Sequence, residues 1–349
     1  MSTVAVTGGT GYIAGFVIAE FLNHGYDVRA SVRDLAKMDA LKDGLHGWVG
    51  DEALGRLTGF EADLTSITGW AQGFFGADGV IHVASPLGTS NESAETLNRV
   101  AKGGTLNVLQ AARDSGVRRV VMTSSGAACI PKVSAGSITV DETFWSDPNN
   151  NELSPYRKSK VAAEKAAWDF AHDNHMDLTT ILPGTVFGPI MRKGIISSDE
   201  MLRLLLNKSV PAVVDTPLDI TDVRDLAVLH RLAFENDVAT GERFLATGPA
   251  ISLPEVAKWY QERFTDSTIP TKTCPMWMVY MLSLVPSLRQ LPAMVHRKYS
   301  HTAFKAESLL GWTQRPPQET VMDAAQSLAE HGLVSSNILT SACGRTTPS

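Results

Sequence analysis

The chain has 349 residues, 44% hydrophobic and 19% charged, with a formal net charge of −6. That balance suits a globular protein with a sizeable core. It excludes a disordered chain and offers no basic face for nucleic acid. Cys129, Cys274 and Cys343 are an odd, widely spaced set without metal-ligand spacing, so they read as reduced thiols of a cytoplasmic protein with no metal site.

Short apolar runs alternate with helical patterns along the first half, the signature of βαβ units and a parallel sheet. Strands are expected at Val4–Thr7, Asp27–Val32, Arg56–Ala62, Gly79–Ala84, Arg119–Thr123 and Leu178–Leu182, the last stopped by Pro183-Gly184. Helices are expected over Ile13–Asn23, Ala94–Asp114 and Leu153–Asn174. Beyond Pro183 the alternation breaks. Helices are expected at Glu200–Asn207, Asp222–Asn236, Leu253–Phe264, His301–Leu310 and Glu319–His331, and one more strand at Arg243–Ala246. The expected fold is α/β: a doubly wound parallel sheet of Rossmann type with a smaller, partly interleaved C-terminal substrate lobe. Residues 1–190 form the dinucleotide-binding domain, to which 212–247 return; 191–211 and 248–333 form the lobe, and 334–349 a flexible tail. No basic-then-apolar leader precedes the first strand, so no export signal is expected. The apolar, methionine-rich stretch Pro275–Val285 falls well short of the ~20 residues of a membrane span, which argues against stable membrane insertion. It reads as a buried helix, or as an adaptable wall of a hydrophobic pocket.

Thr7-Gly8-Gly9-Thr10-Gly11-Tyr12-Ile13-Ala14 follows a strand and opens a helix. Gly8 allows the tight turn, and Gly11 lets backbone approach a pyrophosphate seated on the helix N-terminus. Ala14 keeps helix and strand close. At the end of the second strand a carboxylate would bind the ribose hydroxyl of NAD, whereas an arginine accommodates the extra phosphate of NADP. Arg33 stands there, with Lys37 one turn on and Asp34 between them, and the balance favours NADP(H).

Tyr156 and Lys160 are four residues apart on one expected helix, hence on one face and roughly 6 Å apart along its axis. An ammonium so placed favours the phenolate, which fits the phenol to give a proton to an oxygen that is receiving a hydride. Ser125 lies just past the fifth strand, at the carboxyl edge where open α/β sheets bind ligands, and its hydroxyl could bond the same oxygen. The other use of Ser124-Ser125 is a loop or helix cap. His82 reads as a packed, hydrogen-bonded strand residue.

Thr-Gly-x-x-Gly-x-x-Ala at the start, Asp63-Leu64, Thr123-Ser124-Ser125, Tyr-x-x-x-Lys and Ala163–Trp168 together make the chain resemble an extended short-chain dehydrogenase/reductase. Leu182–Pro189, Thr221–Ala227 and Leu309–Trp312 extend the likeness over Val4–Leu333. It is most similar to the branch of dihydroflavonol reductases, cinnamoyl-CoA reductases and microbial aldehyde/ketone reductases. The resemblance implies that Gly8, Thr10, Gly11, Tyr12 and Ile13 line the pyrophosphate and that Arg33 meets the 2′-phosphate. Asp63 and Leu64 would flank adenine, while Val83, Ala84 and Ser85 follow the ribose. Pro183 and Val186 would lie along the nicotinamide, with Ser125, Tyr156 and Lys160 as the catalytic triad.

Three departures bear on the substrate. Flavonoid-reducing members carry asparagine where this chain has Cys129, cinnamoyl-CoA reductases have Asn-Trp-Tyr-Cys-Tyr where it has Glu152–Tyr156, and dehydratases have acidic residues where Gly126-Ala127-Ala128 follow Ser125. The expected activity is NADPH-dependent reduction of a small, rather apolar aldehyde or ketone. A 3β-hydroxysteroid or sterol dehydrogenase is the alternative enzyme. A non-catalytic NADP(H) sensor is the alternative of another class, although such proteins typically lack the tyrosine or the lysine. A sugar-nucleotide epimerase would need basic clustering for a diphosphate, for which Arg192-Lys193 is the candidate. The helices flanking such a sheet can pair in a homodimer, and the sequence leaves that open.

Overall fold

The computed structural model describes residues 2–86, 94–194, 198–264, 266–285 and 288–335. Its strands, in chain order, are β1 (Thr3–Thr7), β2 (Asp27–Val32), β3 (Leu57–Glu61), β4 (Gly79–His82), β5 (Arg119–Thr123), β6 (Thr139–Val140), β7 (Asp177–Pro183), β8 (Thr185–Phe187), β9 (Pro217–Asp222), β10 (Arg243–Ala246), β11 (Ala250–Ser252) and β12 (Ser300–His301). Seven of them form one parallel sheet in the order β10-β7-β5-β4-β1-β2-β3. Helices cover both faces, so β1, β4, β5 and β10 are buried almost throughout, whereas the edge strand β3 is largely exposed. Side chains alternate between the faces. Val4 and Val6 of β1 join the core that includes the helices Tyr12–Asn23 and Val223–Glu235, whereas Ala5 between them joins the core under Ala94–Asp114 and Pro155–Asp173.

From β1 the chain winds outward through β2 and β3, then returns to the other side of β1 for β4, β5 and β7. The switch point therefore lies at the carboxyl ends of β1 and β4, where such sheets open a ligand crevice. The helix Pro155–Asp173 starts sharply: the Ser154 hydroxyl accepts from the Arg157 amide at 3.1 Å, and Pro155 occupies the first turn. Among the described residues no helix is long and apolar enough to cross a membrane.

The structure adds short helices the sequence reading did not give, among them Met38–Leu45, Trp70–Phe74 and Leu291–Val295, and departs from it elsewhere. β4 stops at His82, because the next two amides, of Val83 and Ala84, both donate to the Thr7 hydroxyl at 3.0 Å and leave the ladder. The helix expected from His301 begins at Phe304, since His301 pairs with Val140 in the two-stranded β6–β12 ribbon. A three-stranded sheet, β11-β9-β8, was not anticipated. The methionine-rich stretch is a helix at Met276–Leu282, but only Val279 is buried; Trp277, Tyr280 and Met281 are 65%, 52% and 60% exposed. The 336–349 part of the expected tail lies outside the described residues.

Candidate active site

Gly8 closes the first turn with φ +75°, and a Cβ there would sit 3.0 Å from the Ala84 Cα. Only glycine suits both conditions. The turn is pinned to the end of β2: the Gly8 amide donates to the Ser31 hydroxyl and the Gly9 amide to the Ser31 carbonyl, each at 2.8 Å. Gly11 caps the helix Tyr12–Asn23 without any side-chain hydrogen bond. The first amides of that helix are thus left for an anion, as a pyrophosphate requires. Thr10 sits in the same turn, and its carbonyl accepts from Arg192 at 2.8 Å. Arg192, the epimerase-type candidate for a substrate diphosphate, therefore braces the glycine turn instead.

Tyr12 needs a correction. Its ring is buried edge-on against Phe16 at 5.9 Å, so its main chain alone belongs to the turn. Burial, followed by the nearby carboxylates of Asp199 and Asp222, holds its phenol well above the ordinary pKa. Ile13 packs against the same core.

Arg33 and Lys37 are exposed just past β2. Asp34 between them is committed to its own turn, its carboxylate accepting from the Ala36 amide at 2.9 Å. The Asp63 carboxyl accepts from the Thr65 hydroxyl at 2.5 Å and amide at 2.8 Å; these bonds, with a smaller contribution from Arg33, hold its pKa below the usual range. The Leu64 carbonyl accepts from Asn107 at 3.0 Å. Val83, Ala84 and Ser85, all partly buried, run along the crevice after β4.

On the other side of the crevice, the helix Pro155–Asp173 carries Tyr156 and Lys160 one turn apart. The Lys160 ammonium lies 5.7 Å from the centre of the Tyr156 ring. Lys160 is only 8% exposed, yet among the described residues its ammonium has no hydrogen-bond or carboxylate partner. His82 is buried beneath, its Nδ1 2.9 Å from the Thr7 hydroxyl. Burial, and then the positive charge of Lys160, push the His82 pKa down to about 3, so it is a neutral strand residue and no acid. Ser125 caps a short 3₁₀ turn over Gly126–Cys129, its oxygen accepting from the Ala127 amide at 3.2 Å. Capping uses an oxygen lone pair and leaves the hydroxyl proton free to donate, so the cap observed here is compatible with donation to a ligand. The turn rests on the end of β7, since a Cβ on Gly126 would lie 3.3 Å from the Pro183 carbonyl. Val186 follows, buried in β8.

Glu164 was missed as a site residue, although it lies four residues past Lys160 within the Ala163–Trp168 stretch. Fully buried, it accepts from Ser124 at 2.7 Å, from Thr180 at 2.8 Å and from the Arg243 guanidinium at 2.9 Å. Arg243 also donates to the carbonyls of Glu142 at 2.6 Å and Phe144 at 2.8 Å and stacks 3.6 Å over the Trp145 ring. This network ties β5, β7 and β10 to the tyrosine helix and fixes the loop that presents Ser125. Cys129 joins it: its thiol donates to the Phe144 carbonyl at 3.3 Å, and burial raises its pKa to about 12. The residue standing where flavonoid reductases carry asparagine is thus turned into the frame.

Beyond the 3₁₀ turn a cleft opens between Ile130, Pro131, Val133, Arg157, Met294 and Tyr299. Behind it, Asp219 accepts from Arg297 at 2.6 Å and faces His301 Nδ1 at 2.8 Å, while His301 Nε2 lies 3.1 Å from the Cys129 carbonyl.

A family model described as the NAD dependent epimerase/dehydratase family matches residues 4–246. The chain is 31% identical over 335 residues to cinnamoyl-CoA reductase 2 of Medicago truncatula, across 95% of this chain and 92% of that protein. It is 31% identical over 285 residues to an anthocyanidin reductase of Vitis vinifera, across 77% of this chain and 83% of that one. Among solved structures it is similar to yeast methylglyoxal/isovaleraldehyde reductase complexed with NADPH, with a TM-score of 0.78 and 26% identity over 95% of this chain and 100% of that one. The chain belongs to the NAD dependent epimerase/dehydratase family, the extended short-chain dehydrogenases/reductases, in their dihydroflavonol reductase-like branch of oxidoreductases.

Proposed function

We propose that this NADP(H)-dependent oxidoreductase reduces an aldehyde or ketone of small to medium size to the alcohol, with Tyr156 as proton donor. One observation carries the reading: a buried Lys160 ammonium beside the Tyr156 ring, one helical turn away, with no other partner among the described residues and across the crevice from the glycine turn. Gly8, Thr10, Gly11 and the main chain of Tyr12 and Ile13 would hold the pyrophosphate, and Arg33 and Lys37 the 2′-phosphate. When bound, NADPH supplies the hydride that reaches the carbonyl carbon.

The protein's own groups deal with the charge that this leaves on oxygen. Ser125 donates its hydroxyl proton in a hydrogen bond to the carbonyl oxygen, while the Ala127 amide holds the serine oxygen in place. Tyr156 transfers its phenolic proton to that oxygen, giving the alcohol and a phenolate. The ammonium of Lys160 stabilises the phenolate until it is reprotonated. The test is absorbance at the reduced-nicotinamide band with NADPH and NADH against aldehydes, ketones, diketones, ketoesters and steroids. Consumption of NADPH with simple aldehydes or ketones is expected. Steroid turnover with NAD preference would replace this reading by a hydroxysteroid dehydrogenase, and tight NADPH binding without turnover by a sensor.

A further inference from the structure

Arg157 follows the proposed proton donor directly and lines the cleft, yet among the described residues its guanidinium makes no hydrogen bond, ion pair or ring contact. It is partly buried, and the loss of water there lowers its pKa; Tyr299 acts against that shift, Arg297 with it, and Asp219 and Tyr156 against it. The anionic groups around it are already committed. Asp219 is taken by Arg297 and His301. Glu152, in the same lining, accepts from the Val133 amide at 2.8 Å. Arg297 itself is further satisfied by the Tyr299 carbonyl at 3.1 Å and lies 4.2 Å over the Tyr299 ring. A half-buried cation without a partner is costly, and a planar guanidinium fork matches one carboxylate with two parallel hydrogen bonds. The glycine-turn residues, Arg33 and Lys37 do not line the cleft, and neither does Tyr156; Arg157, the chain neighbour of Tyr156 on the same helix, is what joins the cleft to the phenol.

We infer that the cleft takes an oxo acid: an apolar aldehyde or ketone bearing one carboxylate, which Arg157 binds while its carbonyl lies at Tyr156. Ile130, Pro131, Val133 and Met294 provide the apolar walls, and Glu152 among them opposes a dianion such as a phosphate ester. Neighbouring residues on a helix point about 100° apart, so Arg157 and Tyr156 do not face one another. A short carbon chain must therefore separate carboxylate from carbonyl, which disfavours an acid in which the two are adjacent.

This assignment of substrate class rests on the redox role of Tyr156, and its test separates the two. NADPH consumption is followed with levulinate, with methyl levulinate, which keeps the ketone but masks the charge, and with pentanal, which carries no acid. The wild-type protein should favour levulinate over its ester in kcat/KM by about tenfold or more. In Arg157→Met the loss on the acid should exceed the loss on the ester by about the same factor, and Arg157→Lys should restore part of it. Equal losses on acid and ester, or a wild-type preference for the ester, would overturn the role of Arg157. Pentanal reduced without any acid preference would sink that role alone. Turnover of none of the three would sink the redox reading as well.

Discussion

Two arginines, Arg243 packed against the helix Pro155–Asp173 and Arg157 on it, behave in opposite ways. Arg243, beneath the site, is saturated by Glu164, two backbone carbonyls and the Trp145 ring. Arg157, lining the cleft, has none of these among the described residues. Lys160, between them in the crevice, resembles Arg157. A buried charge that serves as frame is satisfied inside the protein, because an unpaired one would cost several kcal/mol. A charge that faces ligand space can be left open, because the ligand completes it. The sheet and its buried ion pair thus position groups whose own partners arrive from outside.

The comparison breaks if the frame proves dispensable. Glu164→Gln leaves Arg243 buried without its counter-charge, and we expect a loss of about 3–5 kcal/mol in urea unfolding. Adding Arg243→Met should recover part of that loss. A single-variant cost under about 1 kcal/mol would mean that the pair does not hold the frame.

The ligand side gives the next effect. Ser125→Ala removes one donor to the developing oxyanion, so kcat should fall on the order of 10²-fold, while Ser125→Thr, which keeps the hydroxyl, should retain most of the rate. A Ser125→Ala variant with unchanged kcat would leave the serine as a cap only. Gly8→Ala forces an alanine to φ +75° against Ala84, and calorimetry should show NADPH binding weakened by about tenfold. Unchanged binding would mean that the turn is more yielding than its geometry implies.

The smallest effect near neutrality is in acid stability. Burial depresses His82 from 6.5 to about 3 and His230 from 6.5 to about 4, so both are neutral in the folded chain. Between those values and 6.5 the unfolded chain binds the extra protons, and stability must rise with pH there. Their contribution is complete above pH 6.5 and is lost as pH falls toward 4 and then 3. His230→Gln should flatten the dependence of Tm on pH in that window; an unchanged slope would assign it to other groups.

Much of the sheet was legible because its strands spell themselves locally, β5 as an apolar run and β2 as an alternation of polar and apolar residues. Asp27–Val32 and Arg119–Thr123 appear where the residues place them. The glycine turn was legible for a similar reason, since its chemistry lies within eight consecutive residues. Non-local pairings were not. Thr139–Val140 finds its partner only at Ser300–His301, and Glu164 finds Arg243 79 residues on. Apolarity also said nothing about facing: Tyr12 turns into the core while its main chain serves the turn, and the Met276–Leu282 helix buries only Val279. Arg157 drew no reading from the sequence, because the cleft it lines is assembled from distant segments, 130–133 and 293–299.

The most direct measurement is the single-turnover rate of NADPH oxidation by Tyr156→Phe at saturating aldehyde, taken together with the Kd for NADPH. A fall on the order of 10²-fold or more, with the Kd unchanged, is the predicted result. A variant that turns over as fast as the wild-type protein would contradict the assignment of Tyr156.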